Sequence, residues 1–262
     1  MVRRRCLLVL AGWLALGAAT ASEVTVAVPL SLQPYFLPFQ GSGLAYDMIQ
    51  AAFAAGGHQV RPFYVSGRRV QGLLHKESQV DCLPMVVPGV EHGWHATRSA
   101  HLLHDYAITA PGRTLEDLDD LRSGRVLAYP GATQLLGARF REVVAGNPAY
   151  REINSHRAQI RLLLQGRVRV VIADRLLAEW YLNYLAEEDG DRPEVLFHDL
   201  FEPVGHDFVC RDPDISAEFS AGLERIGADG SLAAILRRYL PEESVSALLS
   251  ELEAVPAAPP AP

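Results

Sequence analysis

The chain has 262 residues, with 24 basic and 31 acidic side chains and a net charge of −7. An acidic balance of this kind repels nucleic-acid phosphates and anionic membrane surfaces, which excludes nucleic acid as the expected partner. Three cysteines do not make a disulfide-stapled miniprotein, and the length suits one or two domains with real cores.

The first element in chain order is not part of the fold. "MVRRR" is a basic run and "CLLVLAGWLALGA" an apolar one, followed by the small-x-small sequence Ala19-Thr20-Ala21. A retained anchor helix is the alternative, but a span needs about 20 apolar residues and this run is shorter. Residues 1–21 therefore read as a cleaved export signal, which places the mature chain in the periplasm. Losing Arg3, Arg4 and Arg5 leaves 21 basic against 31 acidic residues, a net charge of −10. Lys76 is the only lysine, so every other basic side chain is an arginine.

The mature chain alternates strands and helices. "VTVAV" (24–28) predicts a strand ending at Pro29. "AYDMIQAAFAAGG" predicts a helix with Ala45, Met48, Ile49 and Phe53 on one face, stopped by Gly56-Gly57. "QVRPFYV" reads as a strand, "SGRRVQGLLHKE" as a helix and "VDCLPMVV" as a strand, an order that implies parallel pairing with right-handed crossovers. The pattern then restarts. "TLEDLDDL" predicts a short helix with Thr114 as N-cap and Asp117 at the capping-box position. "RVLAYPGAT" is a strand into a turn, and "QLLGARFREVVAG" and "HRAQIRLLLQG" are helices ending at Gly146 and Gly166. "VRVVIAD" is a buried-type strand, "RLLAEWYLNYLAEE" a helix, and "EVLFHDL" and "HDFVCRD" are strands. "SAEFSAGLERIGADGSLAAILRRYL" forms one helical region broken at Asp229-Gly230, and the tail "AVPAAPPAP" carries too much proline to fold.

Six pieces of this order resemble one family. They are "PYFLPF" after the opening strand, "GLAYDMIQAAF", "VDCLPMVVPGVEH", "LEDLDDLRSGRVLAYPGAT", "AQIRLLLQGRVRVVIADRLLAEWYL" and "ADGSLAAILRRYL". Behind an export signal, the order is similar to that of the periplasmic solute-binding proteins of the amino-acid-binding type, family 3. The resemblance implies an α/β chain with the two-lobed periplasmic-binding-protein type II fold, two crossover strands joining the lobes. Carried onto this chain, lobe one covers residues 22–108 plus 206–250, lobe two 109–205, and 251–262 form a disordered tail. The crossovers fall near "YAITAPG" (106–112) and "EPVGHD" (202–207). Cys82 and Cys210 then lie on neighbouring strands, where a disulfide is possible but the restrictive cross-strand geometry favours two buried thiols.

The resemblance also implies a ligand site. Ligands of such sheets sit at the carboxyl ends of strands. Tyr35 and Phe39 would form an aromatic wall, with core packing the alternative for Phe39. Asp174, which ends "VVIAD", would hold an amino group or serve only as N-cap of the next helix. The turn Gly131-Ala132-Thr133 would offer N–H groups to an anion. Arg68, at a helix start where a cation opposes the dipole, is a further candidate. The family's carboxylate-holding arginine is replaced by His92, and Val86 or Val87 stands where a hydroxyl usually assists. Arg98 is a candidate to take over that clamp.

Two histidine pairs, His92/His95 and His101/His104, raise the question of zinc. Residues 97–109 should be extended, sending positions 101 and 104 to opposite faces, so no metal or other cofactor is expected. Neither a nucleophile elbow nor a phosphate loop occurs, and catalysis is not expected. The reading is a monomer that binds a small-molecule ligand and hands it to a membrane permease or a sensor receptor. A dehydratase-like enzyme and a sensory or metal-binding variant are the alternatives.

Overall fold

The computed structural model describes residues 22–66, 72–74, 79–86, 93–97, 101–190 and 193–254. The expected signal, most of the "SGRRVQGLLHKE" helix and the last eight residues lie outside them. Strand β1 (Ser22–Pro29) is buried on both faces: Val24, Val26 and Val28 join one core, and Ala27 joins another with Val65, Leu83 and Val209. A strand covered on both sides reads as an apolar run rather than an alternation. Helix α1 (Leu44–Ala55) buries Met48, Ile49, Ala52 and Phe53 against the first of these cores. Strand β2 (His58–Val65) then pairs parallel with β1 over its full length. Strand β3 (Cys82–Val86) lies parallel on the other side of β1, and β4 (His95–Ala96) and β5 (His101–Leu103) follow.

Strand β6 (Asp105–Thr109) begins the second lobe. After it come a 3-10 helix (Leu118–Arg122), β7 (Val126–Ala128), α2 (Ala132–Leu135), α3 (Gly137–Ala145), β8 (Tyr150–Glu152), α4 (His156–Leu164), β9 (Val170–Asp174), α5 (Arg175–Asp189) and β10 (Leu196–His198). The chain returns through β11 (Val204–Cys210) and closes with α6 (Pro213–Ala228), α7 (Ser231–Leu236) and α8 (Glu242–Ala254). The first sheet has the order β2-β1-β3-β11-β4, with β5 also on β11; the second has the order β10-β6-β9-β7-β8. In β9 the side chains alternate between two cores. Val170 and Ile172 meet Phe140 and Val143, whereas Val171 and Ala173 meet Ile160, Leu163 and Leu177. Helix α6 crosses α1 so closely that a Cβ at Gly222 would sit 2.0 Å from the Ala52 carbonyl oxygen, and only glycine fits there.

Several expectations are corrected. The N-cap of the 3-10 helix is Asp117, not Thr114. Its side chain accepts from the Asp119 N–H at 2.8 Å while Asp120 reaches back to complete the box. The helix expected over 134–145 is split at Gly137, whose φ of +87° interrupts the helical turn. Strand β8 carries no periodicity that marks it in the sequence. The first crossover is earlier than expected: β5 pairs in sheet one and β6 in sheet two, so the chain changes lobes at His104 and "YAITAPG" lies wholly beyond it. It returns between His198 and Val204. Residues 251–254, expected in the tail, continue α8. Cys82 and Cys210 are opposite each other on β3 and β11 and form a disulfide rather than two thiols.

Candidate functional site

Strands β7, β8 and β9 are parallel, so their carboxyl ends share one edge of sheet two. Strand β6 runs antiparallel to β9, and its first residue, Asp105, is the register partner of Asp174. Asp105, Asp174, the turn 129–133 and Glu152 therefore stand along that edge. The loop after β1 comes onto it from the first lobe. The Tyr35 hydroxyl donates to Asp174 Oδ1 at 3.0 Å, and the Tyr181 hydroxyl donates to Gln33 Oε1 at 2.8 Å. These bonds join the lobes across the candidate cleft.

Asp174 fulfils its N-cap role and faces the first lobe as well. Oδ1 also accepts from the Leu177 N–H at 2.8 Å, and Oδ2 accepts from the His104 N–H at 3.2 Å. Asp105 accepts from the Tyr129 hydroxyl at 2.7 Å. Both carboxyls are buried, and among the described residues neither pairs with lysine or arginine. Burial pushes the Asp105 carboxyl up to about 7 against the opposing bond from Tyr129. It pushes Asp174 up to about 6 against the bonds from Leu177, Tyr35 and His104. His156, between the rings of Tyr129 and Tyr181, is held neutral by burial, its pKa lowered to about 4. His104 stands where the chain passes from sheet one to sheet two, and its Nε2 lies 2.9 Å from Asp199 Oδ1 and 2.8 Å from the Phe201 carbonyl oxygen, so one crossover is tied to the other.

A carboxyl whose folded pKa exceeds its unfolded value of about 3.9 binds more protons when folded. Its contribution to stability is present below the unfolded pKa and is lost as pH rises through the folded one. His156 acts in the opposite direction between about 4 and 6.5, so the comparison must be made against a variant. Asp105→Asn is expected to gain stability relative to wild type as pH rises from about 4 to about 7. Urea unfolding at closely spaced pH values checks this, and parallel profiles for the two proteins would contradict it.

Of the expected ligand residues, Tyr35 and Asp174 meet at the edge. Ala132 and Thr133 are there too, but their donors are committed within the chain. The Ala132 N–H donates to the Tyr129 carbonyl at 3.2 Å; the Gly131 N–H, the Thr133 N–H and the Thr133 hydroxyl donate to Glu152 at 2.8, 3.0 and 3.0 Å. Phe39 is not packed in the core. It is 94% exposed and borders, with Gln33, Trp180 and Tyr184, a groove of about 520 Å³ that Asp105, Asp174 and Glu152 do not line. Arg68, His92 and Arg98 lie outside the described residues. His95 is in β4 and His101 in β5, while His104 turns to Asp199. Among the described residues no three His, Cys, Asp or Glu side chains form a group able to hold a metal.

Sequence reasoning missed Asp105, Tyr129, Glu152, His156 and His104 as site residues. The signal for Tyr129 was positional, at the end of the recognised strand in "RVLAYPGAT", whereas Asp105 fell within a stretch expected only to be extended and not at a recognised strand end. For Glu152 there was none, because its three-residue strand went unseen.

No family model matches the chain, and no curated protein matches it. Solved structures do. The arginine-, lysine-, histidine-binding protein ArtJ from the thermophilic bacterium Geobacillus stearothermophilus aligns with a TM-score of 0.69 at 15% identity, over 88% of this chain and 100% of its own. A histidine kinase sensor domain with similarity to periplasmic binding proteins gives 0.70 at 16%, over 84% and 97%. The ancestral amino-acid-binding protein AncCDT-1, a precursor of cyclohexadienyl dehydratase, gives 0.64 at 14%, over 84% and 96%. The likeness is one of fold, and it establishes the two-lobed α/β architecture of periplasmic binding proteins that the order of motifs implied. Among the described residues no helix is long and apolar enough to cross a membrane.

Proposed function

We propose that this chain is an exported solute-binding protein of the amino-acid-binding type, a non-enzymatic monomer that closes two lobes on a small polar solute and passes it to a membrane importer or receptor. One observation supports this reading above the rest. Tyr35 of the first lobe meets Asp174 of the second beside a buried Asp105–Asp174 pair that lacks a described basic partner. Buried carboxylates are relieved by a cation or a strong hydrogen-bond donor, so a nitrogenous ligand suits this edge. ArtJ, whose fold this chain shares, binds arginine, lysine and histidine, and these and related amines are the first compounds to try. Arg68, His92 and Arg98 belong to first-lobe segments that follow β2 and β3 and are proposed to face the same ligand.

A thermal-shift panel of L-amino acids, amines, small carboxylates and divalent metals tests the reading. At a hundredfold excess over Kd a ligand adds about 2.7 kcal/mol, which raises the midpoint of a chain of this size by roughly 5–10 °C. At least one nitrogenous compound is expected to do so. No shift with any compound, or a shift with zinc alone, contradicts the proposal. The likeness to a kinase sensor domain favours, as a second reading, delivery to a receptor instead of a permease. That choice concerns the partner and leaves the site unchanged. The likeness to a dehydratase precursor makes turnover of a bound compound the finding that would move the case to an enzyme.

A further inference from the structure

The turn that follows β7 holds a carboxylate already, and it is the chain's own. Glu152 Oε2 accepts from the Gly131 N–H, and Oε1 accepts from the Thr133 N–H and the Thr133 hydroxyl. Oε1 also accepts from the Tyr150 hydroxyl at 2.9 Å. Four donors on one carboxylate make it a strong acceptor set, since each bond to an ionised group exceeds a neutral one. Burial opposes ionisation of Glu152, but these bonds outweigh it and hold its pKa below the ordinary range, so the group is charged at neutral pH. Glu152 ends β8, next to β7 and two strands from Asp174, on the edge that meets the first lobe. A ligand carboxylate arriving at this turn would find its donors taken and a like charge in its place, and repulsive elements of this sort are how a site rejects a competing ligand.

We infer that Glu152 is a specificity-determining residue, a resident carboxylate that fills the second lobe's anion-binding turn so that the cleft accepts an amine bringing no carboxylate to that position. This rests on the solute-binding reading for its ligand, although the occupancy of the turn is tested separately. The competing account, in which Glu152 only braces the turn, predicts a loss of stability on substitution with no change in ligand preference.

The mature wild-type chain, Glu152→Ala and Glu152→Gln are compared in two assays. In the first, melting is followed in sodium acetate and in sodium chloride of equal ionic strength. Glu152→Ala is expected to melt lower than wild type and to recover in acetate but not in chloride, whereas wild type and Glu152→Gln do not respond to acetate. In the second, L-arginine, L-lysine and L-histidine are titrated beside their decarboxylated counterparts agmatine, cadaverine and histamine. Wild type is expected to prefer the amine of at least one pair by tenfold or more, Glu152→Ala to narrow that preference to about threefold or less, and Glu152→Gln, which removes the like charge but still fills the turn, to narrow it part of the way. Glu152→Gln keeps an acceptor in the turn and carries this assay if Glu152→Ala does not fold. A Glu152→Ala chain indifferent to acetate, a wild type that binds the amino acid as tightly as the amine, or a preference unchanged in Glu152→Gln overturns the inference. Acetate rescue in a protein whose wild type binds none of the six compounds supports the filled turn and counts against the solute-binding reading alone.

Discussion

Replacing Cys82 and Cys210 together with serine is expected to lower the unfolding free energy by about 2–5 kcal/mol. The two residues face each other on β3 and β11, 128 positions apart in sequence. Between them runs the entire second lobe, from β6 to β10. Sheet one is thus made of two chain segments separated by a folded insertion, and a covalent tie between them limits the unfolded ensemble where that separation is greatest. The bond also requires an oxidising compartment, in keeping with the export expected from residues 1–21. Urea unfolding of the double variant against wild type, without reductant, measures the loss. An unchanged midpoint, with two thiols titrating in the untreated wild type, would contradict it.

The second large effect concerns Asp174 and separates stability from binding. In Asp174→Asn the remaining oxygen still accepts from the Leu177 N–H and the Tyr35 hydroxyl, so the helix cap and the contact between lobes persist. The bond from the His104 N–H is lost, at about 0.5–1.5 kcal/mol. Against that loss stands relief of a buried charge whose pKa burial has pushed up to about 6. Stability at pH 7 is therefore expected to stay within about 1–2 kcal/mol of wild type. Affinity for a cationic ligand behaves otherwise, because removing one member of a desolvated charge pair costs about 2–5 kcal/mol, roughly thirtyfold or more in Kd. Retained stability with lost affinity marks a residue kept for its ligand.

Much of the fold was legible in the sequence because both sheets are buried on two faces. "VTVAV" and "VRVVIAD" are apolar runs for that reason, and the helices between them end at glycines such as Gly56 and Gly166. Elements that take their conformation from tertiary pairing were not legible. Strand β8 is three residues long with none of them buried, and it exists because β7 offers it a partner. The lobe boundary was misplaced for a related reason. "DYAIT" reads as a strand wherever it pairs, and its pairing with β9 and β10 assigns it to the second lobe. Of the site, Tyr35 and Asp174 came from the family resemblance, with the helix N-cap as the alternative for Asp174, and their side chains are bonded to each other while Asp174 also caps the helix. The filling of the turn by Glu152 depends on a bond between residues 19 to 21 apart in sequence, and no local pattern encodes it. The core-packing alternative for Phe39 fails because the loop turns the ring outward.

The central claim is that the edge carrying Asp105 and Asp174 holds a small nitrogenous solute between the lobes. Isothermal titration at pH 7 of the compound giving the largest thermal shift, into mature wild type and Asp174→Asn in parallel, tests it most directly. The account predicts one site per chain in wild type and binding at least roughly thirtyfold weaker, or undetectable, in the variant. Equal affinity in the two proteins would place the ligand elsewhere and contradict it.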